Sequence, residues 1–334
     1  MGVGRSGPGA FGPFGRGPKV VAVGGGHGLS ASLSALGRLT DNVTAVVGVA
    51  DDGGSSGRLR GEFGIPPPGD IRMALAALCS DDPAGRTWAS VLQHRFGGEG
   101  PLAGHAVGNL LLVALWEQAG DIVGGLDFVG ALVEARGRVL PATTVPMELV
   151  ATVRRDGVER VVRGQADIAH SNARVHELWL EPGQASACPE AVAALAEADL
   201  IVLGPGSWFT SVLPHFELPG LRAAIADSPA RRVMVLNLQA DTGETRGFRA
   251  ETHLEDLRER YAEVRLDLVL ADPRAVADHA ALEVAAERLE AAVAYEPLAA
   301  PARSVTLPGH AHNPDLLAAA FAAVVERGRI RPWR

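Results

Sequence analysis

The sequence predicts an α/β protein with an open, doubly wound, mostly parallel sheet and a small antiparallel insertion. Three observations support this prediction. Short runs of β-branched residues alternate with segments of helical periodicity along much of the 334-residue chain. The first of these runs are apolar enough for strands that are buried on both faces. Near residues 139–182, two β-rich runs around a hairpin turn signal interrupt the alternation.

The start of the chain differs in composition from the rest. Residues 1–18 consist mostly of Gly and Pro and contain no apolar signal core. Such a segment cannot bury enough apolar surface to fold, so we predict a disordered leader rather than a targeting peptide. Residues 19–330 are predicted to form a single nucleotide-binding α/β domain that carries the insertion.

The strands and helices of this domain follow from local patterns. Residues 19–23 (KVVAV) predict the first strand, and leucines then recur at helical spacing from residue 29. The further strands of the sheet are predicted at residues 43–49, 200–203, 232–236 and 268–270. The further helices are predicted at residues 71–79, 88–96, 109–118, 191–197, 282–292 and 316–327. Residues 53–70 are rich in Gly, Ser and Pro, which predicts a long functional loop.

The predicted insertion has the pattern of a β-hairpin. Residues 147–155 and 158–165 flank Asp156-Gly157, a strong hairpin turn signal, and residues 175–180 predict a further strand. Four arginines in the hairpin, at positions 154, 155, 160 and 163, are predicted to form its solvated edge rather than a polyanion site.

Composition excludes several classes of function. The net charge of −8 disfavours nucleic acid as the main partner. No apolar run reaches the ~20 residues of a membrane-spanning helix, so no membrane association is predicted. The two cysteines form no CxxC pair, which disfavours a disulfide scaffold or a thiolate zinc site and favours a reducing, cytoplasmic compartment.

The lysine content removes further classes of enzyme. Lys19 is the only lysine, and it precedes a strand instead of closing a Gly-rich loop. The chain therefore has no Walker A lysine, and a Schiff-base lysine is equally disfavoured. Any bound phosphate must be held by backbone amides, arginines, hydroxyls or a metal ion.

The first candidate site is the turn GGGHG, at 24–28. Glycines between a strand and a helix let the backbone approach a phosphate, and the helix N-terminus offers amides and the positive end of a dipole. The spacing differs from G-x-G-x-x-G because position 29 is leucine. A tight turn that packs the helix on the strand is the alternative interpretation.

The second candidate is DDGGSSGRLR, at 51–60. Asp51 and Asp52 follow a strand, where ligands of open α/β sheets bind, and adjacent carboxylates can hold Mg²⁺ or ribose hydroxyls. They are the tentative metal ligands, and the catalytic candidates if the protein is an enzyme. Ser55 and Ser56 supply hydroxyls, and Arg58 can pair with a phosphate.

Four further polar segments lie at predicted strand ends or helix starts. Asp70 is able to cap the helix that follows it, and Asn109 can hydrogen-bond a base or a sugar in both directions. Together with the first two segments they predict one cleft for a phosphorylated, sugar-bearing ligand. The candidate ligand-binding residues from these four segments are Asp70, Arg72, Asn109, Gly204, Gly206, Ser207, Thr210, Gly243, Glu244 and Thr245.

The order of these segments carries a family resemblance. GGGHGL, DDGGSSGRLR, PPGDIR, GHAVGNLL, GPGSWFTSVLP and TGET occur in this order and resemble the YvcK-like gluconeogenesis-factor family. That family is similar, more distantly, to the CofD-like 2-phospho-L-lactate transferases, and the resemblance implies a Rossmann-like core. This sequence has His27 where the family usually has threonine, and Trp208-Phe209 replaces a Leu-Tyr pair.

The resemblance implies a ligand and a role. The ligand is a UDP-sugar, UDP-N-acetylglucosamine in particular, and the role is to link carbon supply to cell-wall precursor synthesis and cell shape. A homo-oligomer and a regulatory protein partner in amino-sugar metabolism stay open. The residues that the family's motifs place in the pocket are Gly25, Gly26, Gly28, Asp51, Asp52, Asn109, Gly206 and Ser207.

Three functions remain as alternatives. A regulator would bind the UDP-sugar without consuming it, with no firmly required cofactor. A phospholactate-type transferase would use Mg²⁺ at Asp51 and Asp52, a guanine nucleotide donor and a deazaflavin acceptor. An NAD-dependent oxidoreductase ranks last because the glycine spacing is wrong for a dinucleotide site.

Overall fold

The main sheet has seven parallel strands in the order β10-β9-β8-β7-β1-β2-β3, and a separate antiparallel sheet has the order β5-β4-β6. The computed structural model describes residues 17–155, 157–300 and 311–326, so most of the predicted leader and Asp156 lie outside the described residues. The strands are β1 (Val20–Gly24), β2 (Val43–Val47), β3 (Gly137–Pro141), β4 (Glu148–Arg155), β5 (Val158–Arg163), β6 (Arg174–Glu181), β7 (Leu200–Leu203), β8 (Arg231–Val235), β9 (Leu268–Ala271) and β10 (Ala292–Tyr295).

Helices cover both faces of the main sheet. The α-helices are α1 (Gly26–Leu36), α2 (Gly54–Phe63), α3 (Gly69–Leu78), α4 (Pro83–Gln93), α5 (Val107–Ala119), α6 (Ile122–Leu132), α7 (Gln165–Ala169), α8 (Pro189–Ala196), α9 (Pro219–Asp227), α10 (Ala250–Arg260), α11 (His279–Glu287) and α12 (Pro314–Glu326). A π-helix, Trp208–Val212, and two 3-10 helices, Leu213–His215 and Pro273–Ala275, complete the regular structure of the described residues. The predicted doubly wound α/β fold is therefore confirmed.

Strand β1 divides the hydrophobic core. All five of its residues are buried. Val21 and Val23 belong to one apolar cluster, whereas Val20 and Ala22 belong to the cluster on the opposite face. Because successive side chains of a strand point to opposite faces, this short apolar run anchors both layers of helices.

The strand order places a switch point beside β1. The chain runs outward from β1 to β2 and β3, and it later returns to β7 on the other side of β1. Open α/β sheets bind ligands in the crevice at the carboxyl ends of strands where the order reverses in this way. A ligand is therefore expected at the turns after β1 and β7.

The structure corrects the sequence prediction at several elements. Helices α6, α9 and α10 were not predicted, and the helix predicted at 88–96 is α4, which begins at Pro83 and ends at Gln93. Residues 53–70 contain helix α2 instead of a continuous loop. The helix sequence, GSSGRLRGEF, has weak helical propensity. Gly64 ends this helix in the left-handed region, at φ 64°. Residues 139–141 belong to β3 of the main sheet, so the strands of the insertion run only from Glu148 to Glu181. Strand β10 was missed because its alanines extended the helical pattern before it.

Within the part of the chain that the structure describes, no helix has the length and apolar character needed to cross a membrane.

Candidate functional site

Two Gly-rich turns meet at the switch point. The turn after β1 leads into α1, and the turn after β7 contains Pro205 and Gly206. A Cβ atom on Gly28 would lie 2.1 Å from the carbonyl oxygen of Pro205 and 3.0 Å from the amide nitrogen of Gly206. The two backbones are therefore in direct contact, and only glycine fits at position 28 without a shift of one turn.

The N-terminus of α1 opens into this junction. Gly25 precedes the helix without a side-chain cap, and Gly26 has φ +59°. The first-turn amides have no acceptor within the helix, and the dipole makes this end positive. Backbone amides in this position can bind an anion. The sequence predicts such a site because the chain has no Walker A lysine.

Asp70 reaches this helix terminus from α3. It accepts a hydrogen bond from the amide of Gly26, and a Cβ on Gly25 would lie 2.6 Å from its Oδ2. Loss of hydration, followed by the charge of Asp51, raises the pKa of Asp70 to about 7. Asp70 therefore does not cap its own helix, for which Pro68 is the N-cap residue. The carboxylate of Asp70 therefore lies where a phosphate would bind.

Asp51 and Asp52 point in different directions. Asp51 accepts from the amide of Gly53 at 2.9 Å, and its Oδ2 would lie 2.8 Å from a Cβ on Gly69, next to Asp70. Asp52 instead accepts from the amide of Ala166 at 3.0 Å, at the start of α7 in the insertion. Asp51 is close enough to Asp70 for its charge to raise the pKa of Asp70.

The two serines of the second motif are buried at the start of α2. Ser55 Oγ lies 3.0 Å from Nδ2 of Asn109 and 3.0 Å from Nδ1 of His105, so it ties α2 to α5. Asn109 is 1 % exposed, and its Oδ1 has no partner among the described residues. Ser56 Oγ packs against Gly69. These contacts join α2 to α3 and α5.

The two predicted arginines differ in exposure. Arg58 is exposed and donates from Nη2 to the carbonyl of Ala103 at 2.8 Å. Arg72 is 4 % exposed and donates from Nη1 to Gln93. Burial, followed by the charge of Arg95, lowers the pKa of Arg72 to about 10.

Asn237 was not among the predicted site residues. Its Oδ1 accepts from the amide of Gly206 at 3.0 Å, and its Nδ2 donates to the carbonyl of Gly206 at 2.7 Å. This double hydrogen bond fixes the second turn and uses the Gly206 amide that the sequence analysis assigned to the ligand. An asparagine directly after a strand, at the start of a segment already singled out, was the available signal. In the same turn, Gly204 has φ +70° and Ser207 is exposed.

The second half of the TGET segment, Glu244 and Thr245, is buried. Glu244 is 2 % exposed and accepts from the amides of Trp208 and Phe209, at the start of the π-helix. Burial raises the pKa of Glu244 to about 7 despite these hydrogen bonds. Its carboxylate thus occupies the N-terminus of the helix after the second turn.

The neighbours of Glu244 also make internal contacts. Thr245 is buried and donates to the carbonyl of Ala240 at 2.7 Å, and Gly243 packs against the carbonyl of Ala169. The carbonyl of Thr210, which is buried too, accepts from the side chain of Gln165. This segment positions the second turn and the insertion.

Metal ligands and cavities complete the description. Among the residues with described positions, no three His, Cys, Asp or Glu side chains form a group that could hold a metal ion. A cavity of about 770 Å³ lies at the opposite, amino ends of the strands and is lined in part by Lys19, Arg136 and Glu197. Its mixed charges and its distance from both Gly-rich turns separate it from the candidate site.

Comparison with known proteins decides the family. Residues 20–306 match the family model described as 2-phospho-L-lactate transferase CofD. The chain belongs to the CofD family. The match spans the whole main sheet, including the strands on both sides of the switch point.

Within the CofD family, the similar curated proteins are gluconeogenesis factors. A relative from Mycobacterium tuberculosis (strain ATCC 25618 / H37Rv) is 48 % identical over 317 residues, which cover 92 % of this chain and 90 % of the relative. The gluconeogenesis factor of Bacillus subtilis (strain 168) is 39 % identical over 265 residues, which cover 79 % and 82 %. These matches confirm the resemblance to the gluconeogenesis-factor branch.

A solved structure has the same fold. The crystal structure of a UPF0052 family protein from Bacillus halodurans superposes with a TM-score of 0.80 at 33 % sequence identity. The superposition covers 91 % of this chain and 98 % of the other. The CofD-type arrangement of the sheet is therefore shared with an experimental structure.

Proposed function

We propose that this protein is a cytoplasmic gluconeogenesis factor that binds a UDP-sugar, UDP-N-acetylglucosamine in particular, without consuming it. It would regulate the supply of cell-wall precursors and thereby cell shape. The observation that carries the proposal is the backbone contact between the two Gly-rich turns beside the N-terminus of α1. Backbone amides there suit a diphosphate in a chain that has only one lysine. The names of the relatives support the gluconeogenesis-factor part of the proposal.

Mg²⁺ fits the cleft as a component of ligand binding. Asp51 is close enough to Asp70 for its negative charge to raise the pKa of Asp70. A divalent cation takes oxygen ligands from one or two carboxylates and from phosphates, and it would relieve this repulsion. We therefore place Asp70 beside Asp51 as a candidate ligand, while Asp52 holds the insertion through Ala166.

A transferase is the second candidate function. The family model that matches the chain is that of an enzyme, and the Asp51–Asp70 pair could serve phosphoryl chemistry with a guanine nucleotide donor. Catalysis would then depend on positioning and electrostatics in the same cleft.

Calorimetric titration tests these alternatives. UDP-N-acetylglucosamine, UDP-glucose, GDP and NADH are titrated separately, each with and without Mg²⁺. We expect the UDP-sugars to bind in preference to GDP and NADH, and the ligand to be recovered unchanged after incubation. Asp51→Asn is expected to remove any Mg²⁺ dependence, whereas Asp127→Asn, an exposed acid on α6, is the control.

Two other outcomes of the titrations would change this proposal. Preference for GDP that requires Mg²⁺, followed by product formation with a deazaflavin acceptor, would replace the regulator by the transferase. Absence of binding by every nucleotide tested would contradict both functions.

A further inference from the structure

Three arginines converge on the start of α5. Arg58 donates to the carbonyl of Ala103, and Arg95 donates from Nη1 to the carbonyl of Gly104 at 2.9 Å. The side chain of Arg72 crosses from α3, and its Cγ would lie 2.8 Å from a Cβ on Gly108 in the first turn of α5. The positive side chains thus come from three separate parts of the chain.

Arg72 has no carboxylate within ion-pair distance, although the charges of Asp70 and Asp51 act on it from farther away. Its guanidinium is buried, and no carboxylate forms an ion pair with it in the described part of the chain. Nη1 has the neutral side chain of Gln93 as its acceptor, and Nε has no acceptor among these residues. A buried charge without a partner is costly, and a second arginine nearby increases that cost. Such an arrangement is typical of a site whose anion arrives from outside.

The amino end of α5 adds to the positive field. The helix has 13 residues and no side-chain cap at its N-cap residue, Ala106. Its dipole therefore favours negative charge next to the arginines. Arg95 and Gln93 are both exposed, so an anion can approach from solvent and replace Gln93 as the acceptor of Arg72.

This anion is distinct from the diphosphate at α1. Asp70 and Arg72 are two positions apart on α3, and side chains with this spacing point to different sides of a helix. Asp70 reaches Gly26 at the N-terminus of α1, while Arg72 packs against Gly108 of α5. The carboxylates of Asp51 and Asp70 are within range of the Arg72 charge, and they would repel an anion that bridged the two positions.

We propose that Arg72 and Arg95, at the amino end of α5, form a subsite for the phosphate or carboxylate group of a second small ligand. Both groups are planar or tetrahedral oxyanions that accept paired hydrogen bonds from guanidinium groups. The subsite does not depend on the identity of the nucleotide sugar.

The test is calorimetric titration of the full chain with inorganic phosphate at constant ionic strength, because surface charges are screened by salt. Acetate is titrated in parallel to distinguish a phosphate from a carboxylate ligand. Each titration is repeated with saturating UDP-N-acetylglucosamine. We expect one phosphate or acetate per chain, with an affinity that the nucleotide sugar leaves unchanged.

Two variants locate the subsite without removing the buried arginine. Arg95→Gln is expected to weaken anion binding about tenfold or more, since it removes a charged hydrogen-bond donor. Gln93→Glu places a carboxylate next to Arg72 and is expected to abolish binding by occupying the subsite. Arg258→Gln, an exposed arginine on α10, should bind like the wild type.

Three outcomes would overturn the proposal. They are absence of phosphate and acetate binding by the wild type, unchanged binding in both Arg95→Gln and Gln93→Glu, and competitive displacement by UDP-N-acetylglucosamine. The last outcome would assign the arginines to the nucleotide itself. Loss of UDP-sugar binding with intact phosphate binding would contradict only the proposed function.

Discussion

Replacing Gly28 with alanine is expected to lower UDP-sugar affinity by about 100-fold or more. The new Cβ would lie 2.1 Å from the carbonyl oxygen of Pro205. Neither atom can rotate away, because the oxygen belongs to the backbone and the backbone fixes the position of the Cβ. The two Gly-rich turns must therefore separate, which misplaces the amides at the start of α1. Loss of two hydrogen bonds to an ionised phosphate, at about 1.5 kcal/mol each, corresponds to this factor.

The same substitution is expected to destabilise the fold by about 1–3 kcal/mol, the usual cost of overpacking. Gly61→Ala is the matched control, because Gly61 also lies in a helix and a Cβ there meets nothing within 4 Å. Alanine at position 61 is expected to stabilise α2 slightly and to leave binding unchanged. Calorimetry and denaturant unfolding of both variants make the comparison. Wild-type affinity in Gly28→Ala would show that the ligand does not bind at this contact.

Asp70→Asn is expected to stabilise the free protein at pH 8 much more than at pH 4. The pKa of Asp70 is raised from 3.8 to about 7 in the folded protein, mainly by loss of hydration and then by Asp51. The folded state therefore holds this proton more tightly than the unfolded state does. The resulting stability is present below pH 4 and is lost as the pH rises through about 7. Asparagine keeps an acceptor for Gly26 but carries no charge.

Denaturant unfolding of wild type and variant at several pH values measures this effect. We expect the difference in unfolding free energy to grow by a few kcal/mol between pH 4 and pH 8, since one pKa unit corresponds to about 1.4 kcal/mol. Glu62→Gln, an exposed acid on α2, controls for the loss of one negative charge. If the difference in unfolding free energy stays constant across this pH range, ionisation of Asp70 does not destabilise the folded protein.

The sequence was informative where function resides in the backbone. Glycines after an apolar strand predict a backbone that can approach a phosphate, and the structure shows that Gly28 also contacts the backbone of Pro205. The position of both turns at one sheet edge also follows from the parallel α/β pattern. The fold class and the family resemblance were also confirmed, because both depend on the order of these segments along the chain.

Side-chain directions could not be predicted in the same way. Asp51 and Asp52 are adjacent in sequence, yet Asp52 turns to Ala166, which lies in an insertion more than a hundred residues away. Asp70 has the local pattern of a helix cap, but tertiary contact brings it to Gly26 instead. Helix α2 forms from a sequence with weak helical propensity because its buried serine contacts α5. Long-range packing decides each of these cases.

The most direct test of the account is a crystal structure of the protein with UDP-N-acetylglucosamine. We predict that phosphate oxygens lie within hydrogen-bonding distance of the first-turn amides of α1, those of His27 and Gly28. The diphosphate is expected between the turn after β1 and the turn after β7. A ligand bound elsewhere, such as in the cavity lined by Lys19 and Arg136 at the amino ends of the strands, would contradict the assignment of the site.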